Sequence, residues 1–261
     1  MKAQYIPACE DASEGCLENE AMTVETRFIP PFGYYRQKTD DAYIQYLRQL
    51  PLKAAGSPVL LHTGEAKKNQ SVHVATLDID VGKRNYQNCS DAAQKLRCEH
   101  LYATKQWDKI KYHLSNGFLL SWDEWRAGYR LKREAKKTWM VKSAKADDSY
   151  ETFRKHLDQL FIYAGVDSVM RESTAIALQD MQPSDVFASR GHLIIVLDVA
   201  ENYHGNKMFL LAQSFIPAQE IEILTSPHTK TGWYDLSKIE FPFQTPEWEF
   251  PAPGPNLWRM P

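Results

Sequence analysis

No apolar run in this chain approaches the ~20 residues that a bilayer-spanning helix requires, so no membrane span is expected. The opening stretch MKAQYIPACEDASEGCLENE lacks the apolar segment of a secretory leader, and no signal peptide is expected within this chain. Basic residues hold no surplus: 31 Lys and Arg face 33 Asp and Glu. A nucleic-acid footprint or an anionic membrane surface needs such a surplus, so neither partner is expected. Cysteine is scarce. Cys9, Cys16, Cys89 and Cys98 are the full set, and no two stand in a CxxC spacing. Zinc is therefore not expected, and the redox compartment is left open. The chain also lacks GxGxxG, a P-loop, HExxH and GxSxG. No metal or cofactor is expected on these grounds.

What is present is enough for a substantial core. The 261 residues are 43% hydrophobic, enough for one large domain or two small ones. Residues 1–22 are acidic and aperiodic and read as a flexible tail. The globular domain is expected over 23–261. Pro58–Thr63 and Val72–Ile79 read as strands. Asp40 is placed to cap a helix to Leu50, and Asn88 or Ser90 to cap one to Ala103. Ser115-Asn116-Gly117 reads as a hairpin turn. Ser121 to Glu124 fits a capping box. The basic stretch Arg126 to Lys145 reads as a solvated, irregular face. Helices follow from Asp147 or Ser149 to about Gly165 and from Asp167 to Leu178. Strands come at Asp185–Ala188, His192–Val199, Lys207–Gln213 and Glu220–Leu224, and a Pro- and Trp-rich tail wraps the surface. Helices thus cluster between strands, with a helical insertion at about 104–180. The predicted class is α+β, an antiparallel sheet packed against a helical subdomain.

Two residues carry the candidate chemistry. Cys89 opens a helix, where unpaired N–H groups and the helix dipole favour a thiolate. His192 opens a strand after Gly191, and the apolar run Leu193 to Leu197 marks that strand as buried. A thiolate and an imidazole together can attack a carbonyl carbon. A third group is needed to orient the ring. Gln213, on the next strand, is the candidate, with Ser214 beside it. A neutral Gln stabilises an imidazolium less than a carboxylate would. Asp78, Asp80 and Asp198 are the carboxylate alternatives, and Asp198 is too far along the strand for contact. Gln87 or Asn88 could donate to an oxyanion. Trp122 and Trp125 are the candidates for lining a groove for peptide or sugar, with a core aromatic cluster as the alternative. Cys98, mid-helix, reads as core. Of the other histidines, only His73 is a minor candidate.

The stretches TRFIPPFGYYR, YLRQLPLK, LDIDVG with QNCSDAAQKLRCEHLY, SNGF with WDEWRAGYR, GHLIIVLDVAEN, FLLAQSFIPAQEIEIL and TPEWEF resemble a bacterial family of secreted and lipoprotein-type proteins defined by a domain of unknown function. The resemblance covers about residues 24–250 and implies a secreted or cell-envelope location. Cys89, then Ser184-Asp185-Val186-Phe187, then Gly191-His192 are distantly similar to the papain-like cell-wall peptidases of the NlpC/P60 and CHAP type. That similarity implies a papain-like core and cysteine hydrolysis of a peptide or glycopeptide. Two departures stand against it: the large helical insertion between Cys89 and His192, and Gln213 where a clearer third member belongs. In a second alignment Gly165-Val166-Asp167-Ser168 takes the nucleophile turn, with Ser in place of Cys. That alignment implies a catalytically silent domain that binds an envelope peptide or glycan. Transglutaminase-like acyl transfer shares the Cys-His order. Oligomeric state is not legible.

Overall fold

The computed structural model describes residues 13–135, 137–254 and 256–261. Six α-helices occur among them: α1 (Val24–Arg27), α2 (Ala42–Arg48), α3 (Cys89–Ala103), α4 (Trp122–Arg126), α5 (Tyr150–Tyr163) and α6 (Val166–Glu172). The main sheet has eight strands. They are β1 (His73–Thr76), β2 (Thr174–Ala175), β3 (Val186–Ser189), β4 (His192–Glu201), β5 (Lys207–Gln213), β6 (Glu222–Leu224), β7 (Tyr234–Asp235) and β8 (Leu257–Arg259). Their order is β1-β6-β5-β4-β3-β8-β2, with β7 beside β5, and every pairing is antiparallel. Mixed helices around an antiparallel sheet make this an α+β fold.

Both faces of the sheet are covered. On one face Leu193, Ile195, Leu197, Leu210 and Ala212 pack against Ala92, Ala93 and Leu96 of α3 and Leu47 of α2. On the other, Ile194, Val196, Phe209 and Leu211 pack against Phe243, Phe250 and Leu257 from the C-terminal segment. Burial on both sides explains why β4 is an almost unbroken apolar run rather than an alternating one. A bulge interrupts β4. Val196 pairs with Leu211 and Asp198 with Leu210, so Leu197 is one residue too many. Two consecutive residues, Leu197 and Asp198, then face the helices, and Val199 joins the opposite layer.

A third core gathers Cys98 and Leu101 of α3, Trp122 and Trp125 of α4, and Phe153, Leu157 and Leu160 of α5. His156 is fully buried here, edge-on to both tryptophans, and neither ring nitrogen has a hydrogen bond among the described residues. Burial pushes its pKa down to about 3. Its folded pKa is below the unfolded value of 6.5, so the stability it contributes is complete above pH 6.5. That stability is lost as pH falls towards about 3, at up to about 1.4 kcal/mol per pH unit. His156→Phe keeps a ring in place and removes the titration. The variant is expected to flatten the acid limb of urea-unfolding stability measured from pH 7 to pH 4. An unchanged slope would count against a neutral, buried His156.

Several local expectations are met and others are not. The helix after Asn88 starts at Cys89, and the Ser149 hydroxyl accepts from the Thr152 N–H at the start of α5. Strands Lys111–His113 and Leu119–Ser121 form the hairpin around Asn116-Gly117. The first long helix is capped by Asp41, not Asp40. Residues 58–63 make only isolated bridges. The stretch read as irregular contains a hairpin of Tyr129–Glu134 with Lys137–Lys142, half-buried to exposed. Its Lys and Arg residues mask the alternation. Helix α6 stops at Glu172, well short of Leu178. Of the expected tail, residues 1–12, with Cys9, lie outside the described residues. Cys16–Leu17 already pairs with Phe28–Ile29, and Cys16 is disulfide-bonded. The C-terminal segment does more than wrap the surface, because β8 is an integral strand of the main sheet.

Candidate active site

Helix α3 delivers Cys89 to the open end of β4. The helix begins where the backbone N–H of Asn88 donates to the Asp91 carboxylate at 2.8 Å. Cys89 Sγ lies 3.9 Å from the carbonyl oxygen of Gly191. The N–H groups of Leu193, Ser90 and Cys89 itself favour a thiolate, but burial outweighs them and pushes the thiol pKa up. Cys89 is 5% exposed. The sulfur therefore sits against the backbone on both sides of His192, beyond the last residue of β4 that pairs with β5, Ile195.

The ring of His192 belongs to the face opposite α3, in phase with Ile194 and Val196. It lies between Phe215 and Trp248, with ring centroids 4.8 and 5.0 Å away. Its Nε2 is 2.8 Å from Gln213 Oε1. The Gln213 amide is itself pinned: Nε2 donates to Glu222 Oε1 at 3.0 Å and to Glu247 Oε2 at 2.9 Å. Two carboxylates can face only the NH2 end, so the oxygen must face the histidine. His192 Nε2 must then carry the proton. Nδ1 is left as the unprotonated nitrogen. Burial pushes the His192 pKa down to about 4, against the raising influence of Gln213 and Glu247. The ring is neutral at pH 7.

Behind Gln213 stands a buried ion cluster. Lys67 Nζ donates to Glu222 Oε1 at 2.6 Å and to Glu247 Oε2 at 2.5 Å. Gln219 adds a donor to Glu222 at 2.9 Å, and His73 Nδ1 is 4.0 Å from the other Glu222 oxygen. Burial drives the Glu222 pKa upward, with Lys67 opposing. Lys67, Glu222 and Glu247 were absent from the sequence-derived candidates. A signal existed for Glu222: in Glu220-Ile221-Glu222-Ile223 a charged residue repeats through a strand whose neighbours are apolar on both faces.

The remaining candidates separate. Gln87 is buried and its Nε2 is spent on the Gln219 carbonyl at 3.3 Å. It is not a free oxyanion donor. Asn88 is half-exposed beside Cys89. Asp80 lies on the far side of α3: its side chain is 82% exposed and its carbonyl accepts from Lys95 Nζ. Asp78 is exposed as well. Trp122 and Trp125 are 0% and 5% exposed and line no groove, because α4 turns both into the third core. Asp198 points to the helix face, held by Arg36 and Arg48. Ser168, at the alternative nucleophile turn, is buried with its hydroxyl unpartnered among the described residues.

An α+β protein with a His192–Gln213 pair at one strand end, and Cys89 against the backbone that flanks His192, is the class so far defined. A family profile described as a domain of unknown function (4846) matches residues 24–254. The chain belongs to that family. No curated protein and no solved structure matches it. No helix among the described residues is long and apolar enough to cross a membrane, and no cluster of three or more His, Cys, Asp or Glu among them is arranged to hold a metal ion.

Proposed function

We propose that this protein is a papain-like cysteine hydrolase acting on an amide bond of a peptide or glycopeptide. Cys89 is the nucleophile, His192 the base and Gln213 the residue that orients it. The observation that carries this reading is the pinned Gln213 amide, which forces the tautomer that leaves His192 Nδ1 able to accept a proton. The resting pair is a neutral thiol and a neutral imidazole, since burial raises one pKa and lowers the other. Cys89 meets the backbone of Gly191 and Leu193 while the His192 ring lies on the face away from α3, so in this reading the Cys89 side chain turns towards the ring as sulfur bonds to the carbonyl carbon and its proton passes to Nδ1. The Cys89 N–H and the Asn88 side chain are the donors nearest the developing oxyanion. The imidazolium then protonates the leaving amine, and water, deprotonated by the same nitrogen, cleaves the thioester.

The test is covalent labelling of the full chain with a peptide chloromethyl ketone, mapped by mass spectrometry. The adduct is expected on Cys89 and not on Cys98, with the rate falling at least about 100-fold in His192→Ala. In the wild type the rate should stay level down to pH 5 and drop as pH passes through about 4, where His192 takes up its proton. A rate indifferent to His192 would overturn the reading. It would favour a catalytically silent domain that binds an envelope peptide or glycan, a reading supported by the burial of Cys89 and its raised pKa. In that case binding of peptidoglycan fragments should survive Cys89→Ala.

A further inference from the structure

The far end of β4 carries a concavity separate from Cys89 and His192. Val199 and Glu201 line it, seven and nine residues beyond His192 along the strand and so roughly 20 Å or more away. The cavity is about 530 Å³, within the range of small-molecule sites. Its apolar walls come from Ile44, Ile176, Met181 and Val199. Arg48 is its buried polar group.

Charge in this cavity is out of balance at depth. Asp198 is fully buried, and one carboxylate serves two guanidinium groups: Arg36 Nε at 2.5 Å and Arg48 Nε at 2.9 Å. Arg48 Nη1 donates to the Gln37 carbonyl at 3.2 Å, and Nη2 has no partner among the described residues. Lys207 Nζ meets only two carbonyls, of Gln179 at 2.5 Å and Met181 at 2.9 Å, and no carboxylate. Arg259 is neutralised by a two-pronged pair with buried Asp185, at 2.9 and 3.0 Å. The opposing acids, Asp180 and Glu201, lie at the exposed and half-exposed rim along with Lys38, where water screens them. Arg36 and Arg48 against the single Asp198 thus leave one excess positive charge beside apolar walls, and half-exposed Lys207, opposite Glu201 in the sheet, stands nearer the rim. A guanidinium that shares its one carboxylate with another is only partly neutralised, and a planar anionic head is the partner its geometry fits best.

We propose that this cavity binds an amphiphilic organic anion, its carboxylate or phosphate head on Arg48 and Lys207 and its apolar body against Ile44, Ile176, Met181 and Val199. The test is isothermal titration of the full chain with sodium octanoate, with octyl phosphate, and with 1-octanol as the uncharged control. Saturable binding is expected for at least one anion and not for octanol, and the tighter of the two identifies the head group. Lys207→Met and Arg48→Gln should each weaken binding about tenfold or more, the worth of one charge-assisted hydrogen bond. Arg48→Gln leaves Asp198 paired with Arg36, and a circular-dichroism spectrum checks that it folds. Should it not fold, Lys207→Met, which removes no core pairing, decides alone. No saturable heat from either anion, octanol binding as tightly as the anions, or unchanged affinity in a folded variant would overturn the proposal.

Discussion

Lys67→Met is expected to lower folding stability by about 3–5 kcal/mol at pH 7, the usual consequence of removing one partner from a buried ion cluster. The Lys67 side chain is 8% exposed, and its ammonium group holds Glu222 and Glu247 at 2.6 and 2.5 Å. Without it, two carboxylates would share the single Gln213 amide as their common donor. Glu222 already has a pKa raised by burial, and Lys67 is the first influence that opposes this. The deficit should therefore shrink as pH falls, because a group with a raised folded pKa contributes its stability on the acid side and loses it as pH rises. Glu222→Gln in the Lys67→Met background should recover part of the loss. Urea denaturation at pH 5 and pH 7 measures both effects. A loss below about 1 kcal/mol, the scale of an exposed pair, would show that the cluster is better solvated than its burial implies.

Trp122→Ala is expected to cost about 3–5 kcal/mol, the range for deleting a large aromatic from a close-packed core. Trp122 is fully buried between Tyr102, Phe153 and His156, with centroids 6.0, 5.5 and 5.6 Å away. Had it lined a groove, the same change would have left stability nearly untouched and removed a ligand contact. Thermal unfolding separates the two: a large fall in the transition temperature agrees with the core placement, and no change would contradict it.

Local signals in the sequence were read well where they are set by a few adjacent residues. The helix at Cys89 follows from Asn88 and the apolar spacing after it, and the strand at His192 follows from an uninterrupted apolar run. The placement of Gln213 near His192 was also legible, because neighbouring antiparallel strands bring their ends together. What was not legible depends on distant chain. Glu247 reaches the site from a segment 34 residues beyond Gln213. Lys67 arrives from 155 residues before Glu222. Nothing in local spacing announces such meetings. The Trp122-Asp123-Glu124-Trp125 segment shows a different limit. Its composition suits a sugar-binding surface and a helical core equally, and only the packing of α4 on α5 decides which it becomes.

The bulge at Leu197 divides β4 into two halves that run in antiphase. Up to Val196, even-numbered residues turn away from the helices, which aims His192 at Gln213. Past Leu197 the parity inverts, which aims Asp198 at Arg36 and Arg48. One surplus residue therefore lets a single strand serve opposite faces at its two ends. Were Leu197 to pair with Leu210 instead of bulging, Asp198 would move opposite Phe209 and its carboxylate would be driven into the apolar layer of Val196, Phe209 and Leu211. Substitution by Ile or Met would be mild by comparison. At this position the fold depends on which residue leaves the ladder more than on the side chain it carries.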